Sequence, residues 1–167
     1  MTIYSIWIFD KHCDCIYSKR WHGAPAQHTL THRSTASTGS ELFVRPQAQT
    51  HGQRSQQDDA KLIFGIVFSL RNMVRKLTDE DAFTTYSTSQ YKLHYYETPS
   101  NLRFCLLTDP KMDNLKVALQ QIYVSLYTEY VVKNPLSPIE HPGGVGVDNE
   151  LFVLGLDAFI SSLPGFE

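Results

Sequence analysis

Alternating apolar and polar positions predict three consecutive β-strands in the middle of the chain, between Phe83 and Asp109. Thr, Tyr, Phe and Leu dominate the three runs, and short polar breaks at residues 89–90 and 99–101 separate them. The second run places two sets of side chains on opposite faces: Tyr91, Leu93 and Tyr95 on one, and Lys92, His94 and Tyr96 on the other. The apolar face of this meander must be covered, and helical patterns on both sides of it can supply the cover.

The first residues predict a β-hairpin. Ile3 to Phe9 is almost continuously apolar, which is typical of a strand that is covered on both faces near the middle of a sheet. A polar turn at residues 10–12 follows, and extended structure resumes at Cys13 and runs to about Trp21.

Three segments carry the 3.6-residue period of amphipathic helices: 58–77, 113–133 and 149–163. Asp58 and Asp59 in the first turn of the first segment, and basic residues in its last turns, suit the helix dipole. The apolar arc of this helix is wider than a single sheet contact needs, because Phe64 and Phe68 extend it. Gly65 in mid-helix suggests a close backbone approach, either to the sheet or to another chain.

Residues 22–57 break the pattern. This stretch is rich in Thr, Ser, Gln, His, Gly and Pro. It has neither the periodicity of a helix nor that of a strand, so we expect a long, largely disordered insertion. The predicted fold is therefore one α+β domain over residues 1–167. Its elements follow the order β-β-α-β-β-β-α-α, with a five-stranded antiparallel sheet.

Composition excludes several classes of function. The formal charge of −2 leaves no electrostatic footprint for nucleic acid or an anionic membrane. Cys13, Cys15 and Cys105 form no disulfide framework, which favours a reducing compartment. We expect neither a signal peptide nor a transmembrane helix, because no apolar run approaches about 18 residues.

Metal and nucleotide sites are weakly supported. Cys13 and Cys15 are separated by one residue, whereas structural zinc sites usually use pairs two to four residues apart, so scattered histidines around them do not make a convincing cluster. The glycine-rich stretch at residues 143–146 lacks the Lys and Ser or Thr of a phosphate-binding loop and is read as a flexible connector. We therefore expect no metal and no cofactor.

Catalysis is also weakly supported. His94 lies among tyrosines, but no Ser- or Cys-centred motif accompanies it, and a strand histidine is usually exposed or hydrogen-bonded in the core. Tyr91, Tyr95 and Tyr96 are interpreted as exposed or half-exposed contact residues. The broad apolar arc of the first helix can serve a partner or the chain's own core, and the pattern alone leaves both open.

Four segments together resemble one family: Ile3–Asp10, Asp59–Arg71, Thr88–Pro99 and Tyr130–Pro138. The chain resembles the small, sedlin-like core subunits of the transport protein particle, TRAPP, in the branch numbered first in animals. The resemblance covers nearly all of the chain except the insertion.

This resemblance implies a longin-like fold and a place in a multi-subunit core. A second longin-like subunit would be the direct neighbour, with the two sheets and first helices forming a shared platform. The assembled core would act as a guanine-nucleotide exchange factor for a Rab-family GTPase and tether vesicles in endoplasmic-reticulum-to-Golgi traffic and related autophagy assemblies. It would lie in the cytoplasm, peripheral to the cis-Golgi and endoplasmic reticulum through the complex.

The resemblance does not assign contacts residue by residue. We take the first helix and the second meander strand as the candidate partner or GTPase interface: Lys61, Phe64, Gly65, Phe68, Arg71, Arg75, Tyr91, Lys92, His94 and Tyr96. Two alternatives stay open. One is a longin regulatory or adaptor module outside TRAPP, such as that of a SNARE, which would also need a heptad coiled coil and a tail anchor. The other is a small hydrolase or zinc protein using His94 or the N-terminal cysteines.

Overall fold

The computed structural model describes residues 2–22, 51–78 and 83–164, and within them a five-stranded antiparallel sheet carries helices on both faces. The elements are β1 (Ile3–Phe9), β2 (Cys15–Arg20), α1 (His51–Leu77), β3 (Thr85–Ser87), β4 (Lys92–Glu97), β5 (Arg103–Thr108), α2 (Lys116–Gln121), a π-helical segment (Ile122–Val132) and α3 (Glu150–Ser162). The strand order across the sheet is β2-β1-β5-β4-β3. The predicted α+β class, element order and antiparallel sheet are confirmed.

Alternation along the strands divides the core into two layers. Ile6 and Ile8 of β1 pack with Phe104 and Leu106 of β5 in the layer under α2, the π-helical segment and α3. The odd-numbered neighbours point to the other face, towards α1, and that layer contains Trp7, Phe9, Leu93, Tyr95 and Cys105. The continuous apolar run of β1 thus does fill both layers from an inner position in the sheet.

The helix α1 begins at His51, so the prediction of an insertion reaching to residue 57 is wrong at its C-terminal end. The remaining insertion residues, 23–50, lie outside the described part of the chain. Asp58 and Asp59 consequently occupy the helix interior, and only Arg75 and Lys76 in the last turn match the expected dipole pattern. Gly65 does not approach the sheet, because a side chain there would meet nothing within 4 Å.

The second predicted helix is not uniform. After α2, Lys133 N donates to Thr128 O at 2.9 Å, and the Thr128 hydroxyl donates to Tyr123 O at 2.9 Å, both across five residues. The buried residues of the π-helical segment are Ile122, Tyr127 and Val131, which are spaced five and four residues apart. This wider turn suits an i→i+5 helix and keeps one row of side chains on the sheet.

The N-terminal hairpin turn and the two edge strands, β2 and β3, differ in what lies against them. Cys13 has φ 71° and is an exposed residue of the β1–β2 turn, so the prediction that extended structure resumes at Cys13 is wrong by two residues: β2 begins at Cys15. Gly144, in the short Pro142–Gly144 turn, lies so close to outermost β2 that a Cβ on it would sit 2.6 Å from the Ile16 carbonyl oxygen. No strand among residues 2–22, 51–78 and 83–164 covers the outer edge of β3.

The last helix agrees closely with its prediction. Asn149 precedes α3 in an extended conformation, and its Oδ1 accepts a hydrogen bond from Phe152 N at 2.8 Å. This N-cap satisfies a backbone donor that the helix itself leaves unpaired. Phe152, Leu156 and Ile160 then face the sheet and are fully buried.

Candidate interaction surface

One flank of α1 is an exposed apolar stripe, which we define as Leu62, Ile66, Met73 and Leu77. These side chains lie four, seven and four residues apart, so they share one side of the helix. Leu62 is 64% exposed and Leu77 is 78% exposed. The chain's own core therefore does not consume the wide arc of α1, and a contiguous apolar stripe of this kind marks a contact surface.

A groove of about 390 Å³ runs between the start of this stripe and the sheet. Leu62 and Ile66 form its helix side, and Trp7, Leu93 and Leu107 are among its sheet residues. Tyr91, one of the predicted contact residues, also lines it and is half-buried. The groove thus connects the start of the stripe with Tyr91, and its lining also includes the polar side chains of Arg20 and Asp59.

The opposite flank of α1 carries Lys61, Phe64, Phe68 and Arg75, with Gly65 on the outward side between them. The rings of Phe64 and Phe68 stack with centroids 5.9 Å apart. Phe64 also contacts Phe9 of the sheet at 5.5 Å, whereas Phe68 is about half exposed. Five of the ten predicted residues therefore form a mixed aromatic and basic surface that is separate from the apolar stripe.

Arg71 is the α1 candidate that faces inward. Its Nη2 lies 2.8 Å from Glu97 Oε2, and Glu97 Oε1 lies 3.4 Å from Arg103 Nε. All three side chains are less than one fifth exposed. Arg71 therefore connects the helix to β4 and β5 and offers little of itself to a partner.

The β4 candidates Lys92, His94 and Tyr96 lie on the other face of the sheet from α1. Lys92 Nζ donates to Met112 O at 2.8 Å, and the Tyr96 ring packs 6.4 Å from Phe104. His94 is fully buried, so a contact role for its side chain is inconsistent with the structure. The predicted exposure of Tyr95 is also wrong, because it is buried under α1, where burial and the nearby Glu97 carboxylate raise its pKa.

Both ring nitrogens of His94 are engaged in the core. Its Nε2 lies 2.9 Å from the Thr108 hydroxyl, and its Nδ1 accepts from Leu115 N at 3.2 Å. Burial, with a smaller contribution from the Lys92 charge, lowers the pKa of His94 from 6.5 to about 4. The neutral ring therefore joins β4 to β5 and the segment before α2, and leaves no nitrogen for a substrate proton.

We expect His94 to make stability depend on pH. The unfolded chain takes up a proton on this side chain below about pH 6.5, whereas the folded chain stays neutral until about pH 4. Stability is therefore fully present above pH 6.5 and is lost as the pH falls towards 4, by up to about 3 kcal/mol in all. Urea unfolding between pH 7 and about pH 4 should show this slope in the wild type and a flatter one in His94→Gln. Equal slopes in both proteins would contradict the assignment.

The described residues show neither a metal-binding cluster nor a membrane-spanning helix. Residues 2–22, 51–78 and 83–164 contain no group of three or more His, Cys, Asp or Glu side chains that could hold a metal ion. No helix in the same residues is long and apolar enough to cross a membrane.

The sequence prediction left open whether the wide arc of the first helix serves a partner or the core, and it did not include Leu62 among the candidate residues. The sequence signal for this exposed stripe was the apolar arc of the first helix, which is wider than a single sheet contact needs. A 3.6-residue period shows which side chains lie together, but it does not show how much of an arc the sheet covers.

Comparisons with known proteins match this chain to one family. A family model described as the Sybindin-like family matches residues 3–163. The chain is 44% identical to "Transport protein particle subunit bet5" of Schizosaccharomyces pombe, covering 99% of this chain and 100% of that one. It is 33% identical to "Trafficking protein particle complex subunit 1" of Homo sapiens, covering 99% and 97%. A shorter match, 26% identical over 80 residues, is to "Trafficking protein particle complex subunit 4" of Pongo abelii, covering 48% and 36%.

The family match includes every described strand and every described helix, and the two full-length relatives align almost from end to end. The chain therefore belongs to the Sybindin-like family.

Proposed function

We propose that this chain is a non-catalytic core subunit of TRAPP that acts in vesicle trafficking through its surfaces. The two full-length relatives described above are named as subunits of such particles or complexes, and the single observation on the molecule that carries the proposal is the exposed apolar stripe of α1. A stripe of Leu, Ile and Met left in water favours a permanent partner, because burying it releases hydrophobic free energy.

A second longin-like subunit is the partner that this surface fits. The chain has partial similarity to a differently numbered subunit of the same complex, which suggests that two related folds occur in one particle. The stripe offers a helix face, and the outer edge of β3 can pair with a strand. A neighbour of similar fold can cover both at once with its own first helix and sheet.

The assembled complex would then present this platform to a Rab-family GTPase and promote nucleotide exchange at the cis-Golgi and endoplasmic reticulum. An exchange factor shifts the nucleotide equilibrium by binding one GTPase state more tightly, so it needs no catalytic side chain of its own. The flank with Lys61, Phe64, Phe68 and Arg75 is the candidate GTPase side, because it remains accessible when the stripe is covered. His94 is no longer a candidate contact residue, because its side chain is buried.

The assembly proposal is tested by recovering tagged full-length chain from native cytosol. We expect several stoichiometric small subunits by mass spectrometry, and release of nucleotide from a Rab GTPase by the eluate. Recovery of other subunits without nucleotide release would remove the exchange role and leave the assembly role. Recovery of the chain alone would contradict both.

A further inference from the structure

The long helix α1 has a small buried contact with the rest of the domain. Among its described side chains, from Gln56 to Leu77, only Ala60 and Val67 are buried, and both are small or medium in size. Ile63 and Phe64 add half-buried contacts with the sheet. Apolar burial of this extent weakly defines the position of a helix, because such contacts are not directional.

Among the described side chains of α1, from Gln56 to Leu77, polar contacts with the sheet occur near both ends. Near its N-terminal half, Asp59 pairs with Arg20, and Gln56 Nε2 donates to the Ser18 hydroxyl at 2.8 Å. These groups are largely exposed, and exposed ion pairs contribute little. The second contact, Arg71 with Glu97 near the C-terminal half, is far less exposed and so is less screened by solvent.

Glu97 lies where several elements meet. Its Oε2 accepts from the Tyr95 hydroxyl at 3.0 Å as well as from Arg71, and its Oε1 faces Arg103. The Arg103 guanidinium lies 5.8 Å from the Phe64 ring centroid and donates to Asp10 O at 3.3 Å. The Glu97 carboxylate thus contacts side chains of α1, β4 and β5, and through Arg103 it is linked to the turn after β1. It lies between the guanidinium groups of Arg71 and Arg103.

We propose that Glu97 is a positioning residue that fixes the C-terminal half of α1 on the sheet. Directional ion pairs to Arg71 and Arg103 supply the geometric definition that the sparse apolar contact lacks. Without the carboxylate, Arg71 loses its ion pair to β4 and no longer shares an anion with Arg103, so the C-terminal half of α1 is held less firmly on the sheet. The strands β1 and β5 keep their ladder to each other and the layer under α2, the π-helical segment and α3, so the loosening should be largest in the helix.

The test is hydrogen–deuterium exchange on the full-length chain, followed by peptide. Glu97→Gln should raise the exchange rate of amides in the C-terminal half of α1 by about tenfold or more, with little change in β1 and β5. The matched control is Glu129→Gln, which removes an exposed carboxylate paired with Lys133 on one helix turn and should leave α1 unchanged.

A second variant separates positioning from general damage. Arg71→Gln should loosen the same amides, and the double variant Arg71→Gln/Glu97→Gln should loosen them by less than the sum of the two single effects, because both changes remove the same ion pair. Unchanged α1 exchange in Glu97→Gln, or an equal rise throughout the chain, would overturn the proposal.

The link from Glu97 to assembly rests on the proposed function, since α1 carries the stripe. Weaker recovery of other subunits by Glu97→Gln, alongside faster α1 exchange, supports that link. Faster α1 exchange with undiminished recovery supports the positioning role by itself, so a failure of the assembly proposal remains distinguishable.

Discussion

Replacing Gly144 with alanine should lower the free energy of unfolding by about 3 kcal/mol. Gly144 has φ 85°, a left-handed conformation that costs an L-residue roughly 1–2 kcal/mol. The new Cβ would also lie 2.6 Å from the Ile16 carbonyl oxygen, a backbone atom of β2 that cannot rotate away. Either the turn or the edge strand must shift. Urea unfolding followed by far-ultraviolet circular dichroism measures the loss.

The adjacent glycine provides the control. Gly143 has φ 65°, so alanine there carries a similar backbone penalty, but its Cβ would meet nothing within 4 Å. Gly143→Ala should therefore cost only about 1–2 kcal/mol. Equal losses in the two variants would mean that the close approach to β2 contributes nothing and that backbone conformation explains the whole effect.

This turn also shows what a sequence pattern leaves undetermined. The glycines at 143–146 suggested a flexible connector, because glycine is permissive in any loop. In the structure, one of them is required by a carbonyl that lies more than a hundred residues earlier in the chain. The glycine indicated a turn, but the Ile16 carbonyl that requires glycine at this position is distant in the sequence.

Periodicity predicted the elements well where burial and local signals coincide. Phe104 and Leu106 alternate with Cys105 and Leu107, and the two sets do enter different core layers. The helix after Asn149 has a capping residue and a regular apolar row, so its bounds were predicted closely. The start of α1 was missed because residues 51–57 are polar and carry no period. The π-helical segment was missed because apolar steps of four and five fit an α-helix almost as well.

The candidate site was predicted only in part, for a related reason. Strand alternation placed Lys92, His94 and Tyr96 on a common face, but it could not show that the α2 region covers that face. The Leu115 amide that binds His94 is 21 residues away, and the Thr108 hydroxyl is 14 residues away. The sequence left open whether this histidine is exposed or hydrogen-bonded in the core, and the tertiary contacts show that it is hydrogen-bonded in the core.

Replacing Leu62 with aspartate should abolish recovery of the second longin-like TRAPP subunit, with at least a hundredfold loss of affinity. Leu62 is exposed in the chain by itself, so the change should leave folding intact. If a partner covers the apolar stripe, however, the new carboxylate must be buried without a counter-charge, which costs several kcal/mol. Co-expression of the two subunits with pull-down on either tag measures the loss, and thermal unfolding of the variant alone checks the fold.

Leu151 on α3 gives a matched control, because it is 63% exposed against 64% for Leu62 and also lies on a helix. Leu151→Asp adds the same charge to an equally exposed position that does not belong to the stripe, so recovery of the longin-like subunit should be normal. Phe68→Asp, on the opposite flank of α1, should also retain that subunit while weakening nucleotide release by the assembled complex. If Phe68→Asp instead loses the subunit and Leu62→Asp keeps it, the two flanks have exchanged roles. Normal recovery in all three variants would contradict a platform built on α1, because the longin-like subunit would then cover neither flank.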